Sequence, residues 1–284
     1  MMIAVTGASG QLGRLVIEEL LDEVPASDVL ALVRDVTKVA DLAARGVQVK
    51  AADYNQPAAL VSALQGVDKV LLISSSEVGQ RTAQHRNVIE AAQQAKVKLL
   101  AYTSLLHADT SPLALATEHK ETEAVLKASG LPYVLLRNGW YTENYAASIP
   151  AALQHGVFIG SAGEGKIASA ARADYAAAAA AVLTQDNQAG KVYELAGDEP
   201  YTLAELAAEV SRQSGKAIGY QDLPAAEYKA ALVAAGLPEI FADLLVDSDI
   251  GASKGGLFDD SHQLSRLIGR STTPLSTVVK GVIE

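Results

Sequence analysis

With 284 residues, 49% of them apolar, and no cysteine, the chain can build one large domain, or a core with a smaller partner, but no disulfide framework, thiol nucleophile or thiolate metal site. Asp plus Glu number 33 against 23 Lys plus Arg, and the net charge of −10 comes with no long basic run, which excludes a general binder of nucleic-acid phosphates. No apolar run reaches the about 18 residues of a membrane span, and no charged-then-apolar leader precedes the first strand, so a globular, cytoplasmic protein is expected.

In chain order, Met2–Thr6 reads as a short buried strand that runs straight into Gly7-Ala8-Ser9-Gly10-Gln11-Leu12-Gly13. The helix after it carries one apolar face at Leu12, Leu15, Val16 and Leu20, with Arg14, Glu18, Glu19 and Asp22 off it. A second strand, Val29–Val33, ends at Arg34, and a third runs from Gly46 to Ala51. Asn55 is the expected cap of a helix that begins at Pro57 and stops at Gly66. Lys69–Ile73 is a fourth strand breaking into Ser74-Ser75-Ser76, and a helix through Val88, Ile89 and Ala92 leads to the strand Leu99–Thr103. A helix over Leu115–Ser129, stopped by Gly130, leads to Tyr133–Arg137. Strands alternating with helices of this length predict right-handed crossovers and an α/β, doubly wound parallel sheet, the Rossmann fold.

The second half changes character. A glycine-rich turn at 160–165 precedes an alanine-rich helix starting near Asp174, and Thr202–Glu205 is a capping box for a helix that Gly215 closes. Helical patterns follow over 225–235, 238–247 and 274–282, while 249–260, with Gly251, Gly255 and Gly256, reads as a mobile loop. The expected organisation is a nucleotide-binding domain over 1–150 and a smaller α/β lobe over 151–284, with the chain passing back into the core around 166–197.

The glycines sit between a strand and a helix, the context in which such a loop holds a pyrophosphate: the backbone turns sharply and the helix terminus offers free N–H groups. Arg34 stands at the end of the second strand, where an acidic residue would take a ribose 2′-hydroxyl. A cation there suits a 2′-phosphate, so the coenzyme read from the residues is NADP(H) rather than NAD(H). The serines Ser74, Ser75 and Ser76 end a strand at the ligand-bearing edge of the sheet, though an ordinary polar loop would look the same. The segment Asn138–Tyr145 follows another strand and carries the chain's one Trp; its aromatic rings suit either a flat substrate or an apolar seam.

None of the ten tyrosines has Lys four residues on, which disfavours the Tyr-x-x-x-Lys dyad of alcohol dehydrogenation and sugar epimerisation. His119 and Glu123, one turn apart, are the remaining candidates for proton transfer, against the alternative of a charged, solvated helix face. Gly251-Ala252-Ser253-Lys254-Gly255 matches a hydrolase elbow in letters but lacks the flanking strand and helix. The five histidines, 85, 107, 119, 155 and 262, are too scattered for a metal site.

In combination, the segments Gly7–Gly13, Ser74–Arg81, Tyr102–His107 and Leu136–Tyr141 resemble the NmrA-like, atypical short-chain dehydrogenase family, over essentially the whole chain. The resemblance implies NADPH held by Gly7, Ala8, Ser9, Gly10, Gln11 and Leu12, by Arg34 and by Ser74–Ser76. It extends the coenzyme site to the turn Asn138, Gly139, Trp140, Tyr141, Thr142 and Glu143. It also implies a quinone as substrate, with hydride passing directly from NADPH and no flavin. Asn138 and Tyr141 are then candidates for orienting the carboxamide or the quinone, and His119 for supplying a proton. In the isoflavone reductase branch a catalytic Lys occupies the place of His119, so this chain departs from that pattern. The competing expectation is an NADP-sensing regulator of the NmrA type that holds the coenzyme without turnover. The sequence leaves the oligomeric state open, a homo-oligomer included.

Overall fold

The computed structural model describes residues 1–284. In chain order the elements are β1 (Ile3–Thr6), α1 (Gln11–Glu23), β2 (Val29–Val33), α2 (Ala40–Ala44), β3 (Gln48–Ala51) and α3 (Pro57–Ala63). Then come β4 (Lys69–Leu72), α4 (Arg81–Gln94), β5 (Leu99–Leu105), α5 (Ala116–Ala128), β6 (Tyr133–Asn138), α6 (Thr142–Ala146), α7 (Ile149–His155) and β7 (Val157–Gly160). The chain ends with α8 (Arg172–Thr184), β8 (Val192–Leu195), α9 (Leu203–Ser214), β9 (Gly219–Asp222), α10 (Ala225–Ala234), α11 (Glu239–Ser253), α12 (Gln263–Ile268) and α13 (Leu275–Ile283).

Seven strands form one parallel sheet in the order β3-β2-β1-β4-β5-β6-β8. The strands β1, β2 and β5 are buried along their whole length, which is why they read as continuous apolar runs instead of alternating ones. In-register pairing of Ile3 with both Val29 and Lys69 puts β1 between β2 and β4. The direction of strand addition reverses at that point, so the carboxyl ends of β1 and β4 open a crevice.

The chain forms two compact units. The first comprises 1–109, 115–138 and 172–194; the second comprises 110–114, 139–171 and 195–284. The division therefore does not fall at a single point near residue 150. The return of 172–194 supplies α8, which packs on α1, and Lys69 Nζ donates to the Leu183 carbonyl at its far end (2.7 Å).

Inside the first unit, β6 carries a buried cation. Arg137 Nε and Nη2 donate to the Glu123 carboxylate at 2.9 and 2.8 Å, while Nη1 reaches Glu194 at 2.8 Å and Asp109 at 3.0 Å. Ser104 Oγ donates to Glu123 as well. Burial alone would raise the Glu123 pKa, but the guanidinium and the hydroxyl outweigh it and hold the carboxyl below its usual range. The α5 face is thus an internal electrostatic seam and not the solvated charged surface that its sequence also allowed.

The second unit holds the two-stranded parallel ribbon β7–β9 and six further helices besides α6. Its capping box is formed as the sequence spells it: Thr202 Oγ1 accepts from Glu205 N–H, and the Glu205 carboxylate accepts from Thr202 N–H. The segment 249–260 differs from expectation. Residues 249–253 continue α11, and the glycines are there for close packing: a Cβ on Gly251 would lie 3.0 Å from the Leu113 side chain, and one on Gly256 2.7 Å from Pro112. Ser253 ends that helix with its hydroxyl on the Ile250 carbonyl (2.7 Å), which rules out the nucleophile elbow. Asn55 does not cap α3 either; Gln56 is the cap residue and offers no side-chain bond.

Removing Glu123 as Glu123→Ala leaves Nε and Nη2 of the buried Arg137 without their carboxylate, and we expect urea unfolding to show a loss of about 3 kcal/mol. Lys127→Ala, which deletes only the half-exposed partner of the same carboxylate (3.2 Å), should cost less than about 1 kcal/mol. Equal losses would show that the buried pair carries no special weight.

Candidate functional site

The glycine loop is set by sterics. Gly7 has φ of +60°, which a side chain rarely tolerates, and Gly10 N–H closes the turn onto the Gly7 carbonyl at 2.9 Å. Gly13, in the first turn of α1, lies so near that a Cβ would stand 2.5 Å from the Gly7 carbonyl oxygen and 2.8 Å from Ala8 Cα. Gly10 caps α1 and offers no side-chain acceptor, so the first-turn N–H groups face outward for a ligand. Gly7, Gly10 and Gln11 are exposed and Ser9 half-buried, whereas Ala8 and Leu12 are buried and can contribute only backbone. Ala8 N–H donates to Leu32 O (3.2 Å), tying the loop to β2.

At the ends of the neighbouring strands, Tyr54 is a joint that sequence reasoning did not find. Its hydroxyl meets Thr6 Oγ1 and donates to the Ile73 carbonyl (2.8 Å), while Ile73 N–H donates back to Thr6 Oγ1 (3.0 Å). Arg34 leaves the end of β2 with its side chain 70% exposed, and its Nη1 meets Glu77 Oε1 at 3.0 Å.

The Ser74–Ser76 segment is clamped from within by side chains of β5 and α4. Ser74 N–H donates to Thr103 Oγ1 (2.9 Å), and Ser75 N–H donates to His85 Nε2 (2.9 Å). The Arg81 Nε donates to the Ser75 carbonyl. Because His85 Nε2 accepts, its hydrogen is on Nδ1, which meets Thr122 Oγ1 at 2.9 Å; Thr122 in turn donates to the Glu118 carbonyl. Beside this chain, Tyr102 OH and His119 Nδ1 are 2.7 Å apart. Burial drives both imidazoles down to about 3, and the positive charge of Arg81 presses the same way.

His119, a candidate for proton transfer in the sequence, is therefore a neutral, 5% exposed core imidazole. Its stripe signature was present: Ala116, His119, Thr122, Glu123 and Leu126 share the buried face of α5. At the end of β6, Asn138 Oδ1 is buried with no hydrogen-bond partner, as is Arg81 Nη1. Such orphans cost roughly 1–3 kcal/mol each unless a ligand meets them.

In the second unit, the turn after Asn138 is held by backbone. Gly139 N–H donates to Leu195 O (2.8 Å), Ala170 N–H to Trp140 O (3.1 Å) and Thr142 N–H to Ala170 O (3.0 Å). Thr142 Oγ1, Ser169 Oγ and Tyr201 OH form a buried chain with steps of 2.8 and 2.6 Å. Trp140 is 6% exposed and packs on Tyr145, ring centroids 6.3 Å apart, so it is an internal contact and not an open platform. Tyr145 OH donates to Asp249 Oδ1 (3.0 Å), a buried carboxyl that desolvation lifts to about 6. Tyr141 and Glu143 are half-buried and are the side chains of this turn that retain surface.

A profile described as NAD(P)H-binding matches residues 7–186. The chain is 65% identical to quinone oxidoreductase 2 of Escherichia coli (strain K12) over 278 residues, covering 98% of this chain and 97% of that one. The chain belongs to the NAD(P)H-binding family. Within this family, the crystal structure of the NADPH-dependent quinone oxidoreductase of Escherichia coli complexed with NADPH superposes with a TM-score of 0.98, at 64% identity over the whole of both chains. An NmrA-like family oxidoreductase of Aspergillus flavus is 28% identical and matches along all of this chain and 95% of its own. No helix of the chain is long and apolar enough to cross a membrane.

The two depressed imidazoles fix the sign of an acid effect. Between the ordinary histidine value and about 3 the unfolded chain binds two protons that the folded chain refuses, so stability falls as pH falls. Urea unfolding between pH 6.5 and 5 should lose about 2–3 kcal/mol per pH unit from this pair. The double change His85→Gln with His119→Gln should flatten that slope; an unaltered slope would place the effect elsewhere.

Proposed function

We propose that the protein is a reductase that passes hydride directly from NADPH to a quinone, with no flavin. The observation that carries this reading is the near-full-length match to a quinone oxidoreductase. The residues present fit the coenzyme: an uncapped helix terminus packed on the loop so closely that Gly13 has no room for a Cβ, a cation at the end of β2, and an orphaned buried amide oxygen at Asn138. NADPH, when bound, supplies the hydride. Gly7–Leu12 would receive the diphosphate on backbone N–H groups, and Arg34 the 2′-phosphate. Ser74–Ser76, held by His85, Thr103 and Arg81, would shape the wall along which the coenzyme extends. Asn138 Oδ1 is suited to accept from a carboxamide N–H, and the family resemblance extends the coenzyme site to Gly139, Trp140, Tyr141, Thr142 and Glu143.

Quinones are electrophilic already, so the protein's part is proximity and orientation more than acid catalysis. A neutral His119 whose Nδ1 is engaged by Tyr102 is a poor proton source, and we assign the protonation of the reduced oxygen to water. The net charge of −10 weighs against a nucleic-acid partner, and a cytoplasmic setting suits an NADPH consumer.

Following NADPH absorbance with and without a simple benzoquinone tests the reading. Quinone-dependent oxidation by flavin-free protein is expected, whereas tight NADPH binding with no turnover across a quinone panel would mark an NADP sensor. Arg34→Asp should weaken NADPH more than NADH by about 1–3 kcal/mol. His119→Gln should keep the same flat kcat between pH 6 and 8; a new or lost inflection there would restore His119 as a proton donor.

A further inference from the structure

The ion pair between Arg34 and Glu77 bears on how the coenzyme is chosen. Glu77 follows the Ser74–Ser76 segment, and three contacts fix it: Oε2 accepts from Gln84 Nε2 (2.8 Å), its N–H donates to Ser75 Oγ (3.1 Å), and Oε1 takes the Arg34 Nη1 (3.0 Å). Gln84 is itself buried, at 2% exposure, so the carboxylate is anchored from the core side. Arg34 is the loose partner, holding Glu77 by one nitrogen at the end of an exposed side chain. The acid next to Arg34 in sequence, Asp35, is occupied elsewhere, with Oδ1 taking both the N–H and the hydroxyl of Thr37.

Resting on the reading of Arg34 as the 2′-phosphate ligand, we infer that Glu77 is a specificity-determining residue: an anchored counter-ion that competes with the 2′-phosphate for Arg34 and moderates the preference for NADPH over NADH. Two effects act in the same direction. The guanidinium is partly committed before the coenzyme arrives, so the fraction ready for phosphate is reduced. Once phosphate binds, a carboxylate fixed within reach of the same guanidinium repels its two charges. With NADH no charge arrives at this point, Arg34 keeps its partner, and neither effect operates. An exposed pair is weak, which makes the competition tunable instead of prohibitive.

The test measures binding to coenzyme-free protein by calorimetry, using NADPH, NADH, and the fragments adenosine 2′,5′-bisphosphate and adenosine 5′-monophosphate. Glu77→Gln keeps the shape and the Gln84 contact while removing the charge. It should tighten NADPH and the bisphosphate roughly two- to fivefold and leave NADH and the monophosphate unchanged. In an Arg34→Ala background the same change should have a much smaller effect on NADPH. Unchanged or weaker NADPH binding by Glu77→Gln, with Arg34→Ala still erasing the NADPH preference, would overturn the inference alone and make Glu77 an aid to Arg34. If Arg34→Ala weakens NADPH and NADH equally, the phosphate reading of Arg34 fails and the inference with it.

Discussion

The structure of the coenzyme end hangs on one close approach: the first turn of α1 lies against the Gly7 carbonyl with no space for even a methyl group at Gly13. That contact fixes where the helix begins and aims its uncapped N–H groups along the end of β1. The loop's own bond from Ala8 to Leu32 then locks this turn to β2, two residues before Arg34. The contact sets where α1 begins, while β2 and Arg34 are placed by the pairing of β2 with β1. A bulkier residue at position 13 would push α1 off the Gly7 carbonyl and leave that pairing in place.

The interior of the first unit solves the cost of buried polarity in two ways. Arg137 and Glu123 keep full charges and neutralise each other, with Ser104, Glu194 and Asp109 completing the shell. Such an arrangement is stable only while every member is present. The His85–Thr122 chain and the Tyr102–His119 pair instead remove charge, since burial holds both imidazoles neutral. Neutrality is what lets His85 Nε2 accept from the Ser75 amide; a protonated ring would present a second donor to that N–H. The Ser74–Ser76 backbone is therefore oriented by a core side chain.

Much of this could be read from the residues alone. The alternation of strands and helices, the glycine loop in its strand-to-helix context and the place of Arg34 are local signals, and the structure holds each of them within a few residues of its expected bounds. What escaped is non-local or ambiguous by nature. His85 stands three residues before Val88 and four before Ile89, on the same stripe, so its burial was marked, but its partner Ser75 was not. On α5 the buried face carries His119, Thr122 and Glu123, and polar letters on a core face look like a solvated surface until the opposing Arg137 and Tyr102 are known. Gly251 and Gly256 could signal motion or tight packing with equal right, and Leu113 and Pro112, over a hundred residues away, decide for packing.

The charge balance explains why the coenzyme end is built from short-range contacts. A dinucleotide with several negative charges approaches a chain whose net charge is −10, so the long-range field opposes encounter. Screening limits that field to about 8–10 Å in ordinary salt, inside which only local donors count. On the proposed reading, the first-turn N–H groups of α1 and the Arg34 guanidinium would supply that attraction on the two sides of the adenosine ribose, at its 5′-diphosphate and its 2′-phosphate. A neutral quinone would feel none of this field. Selection of the coenzyme would then be electrostatic and local, and independent of the capture of the acceptor. A single anchored carboxylate beside Arg34 can consequently retune the first without touching the second.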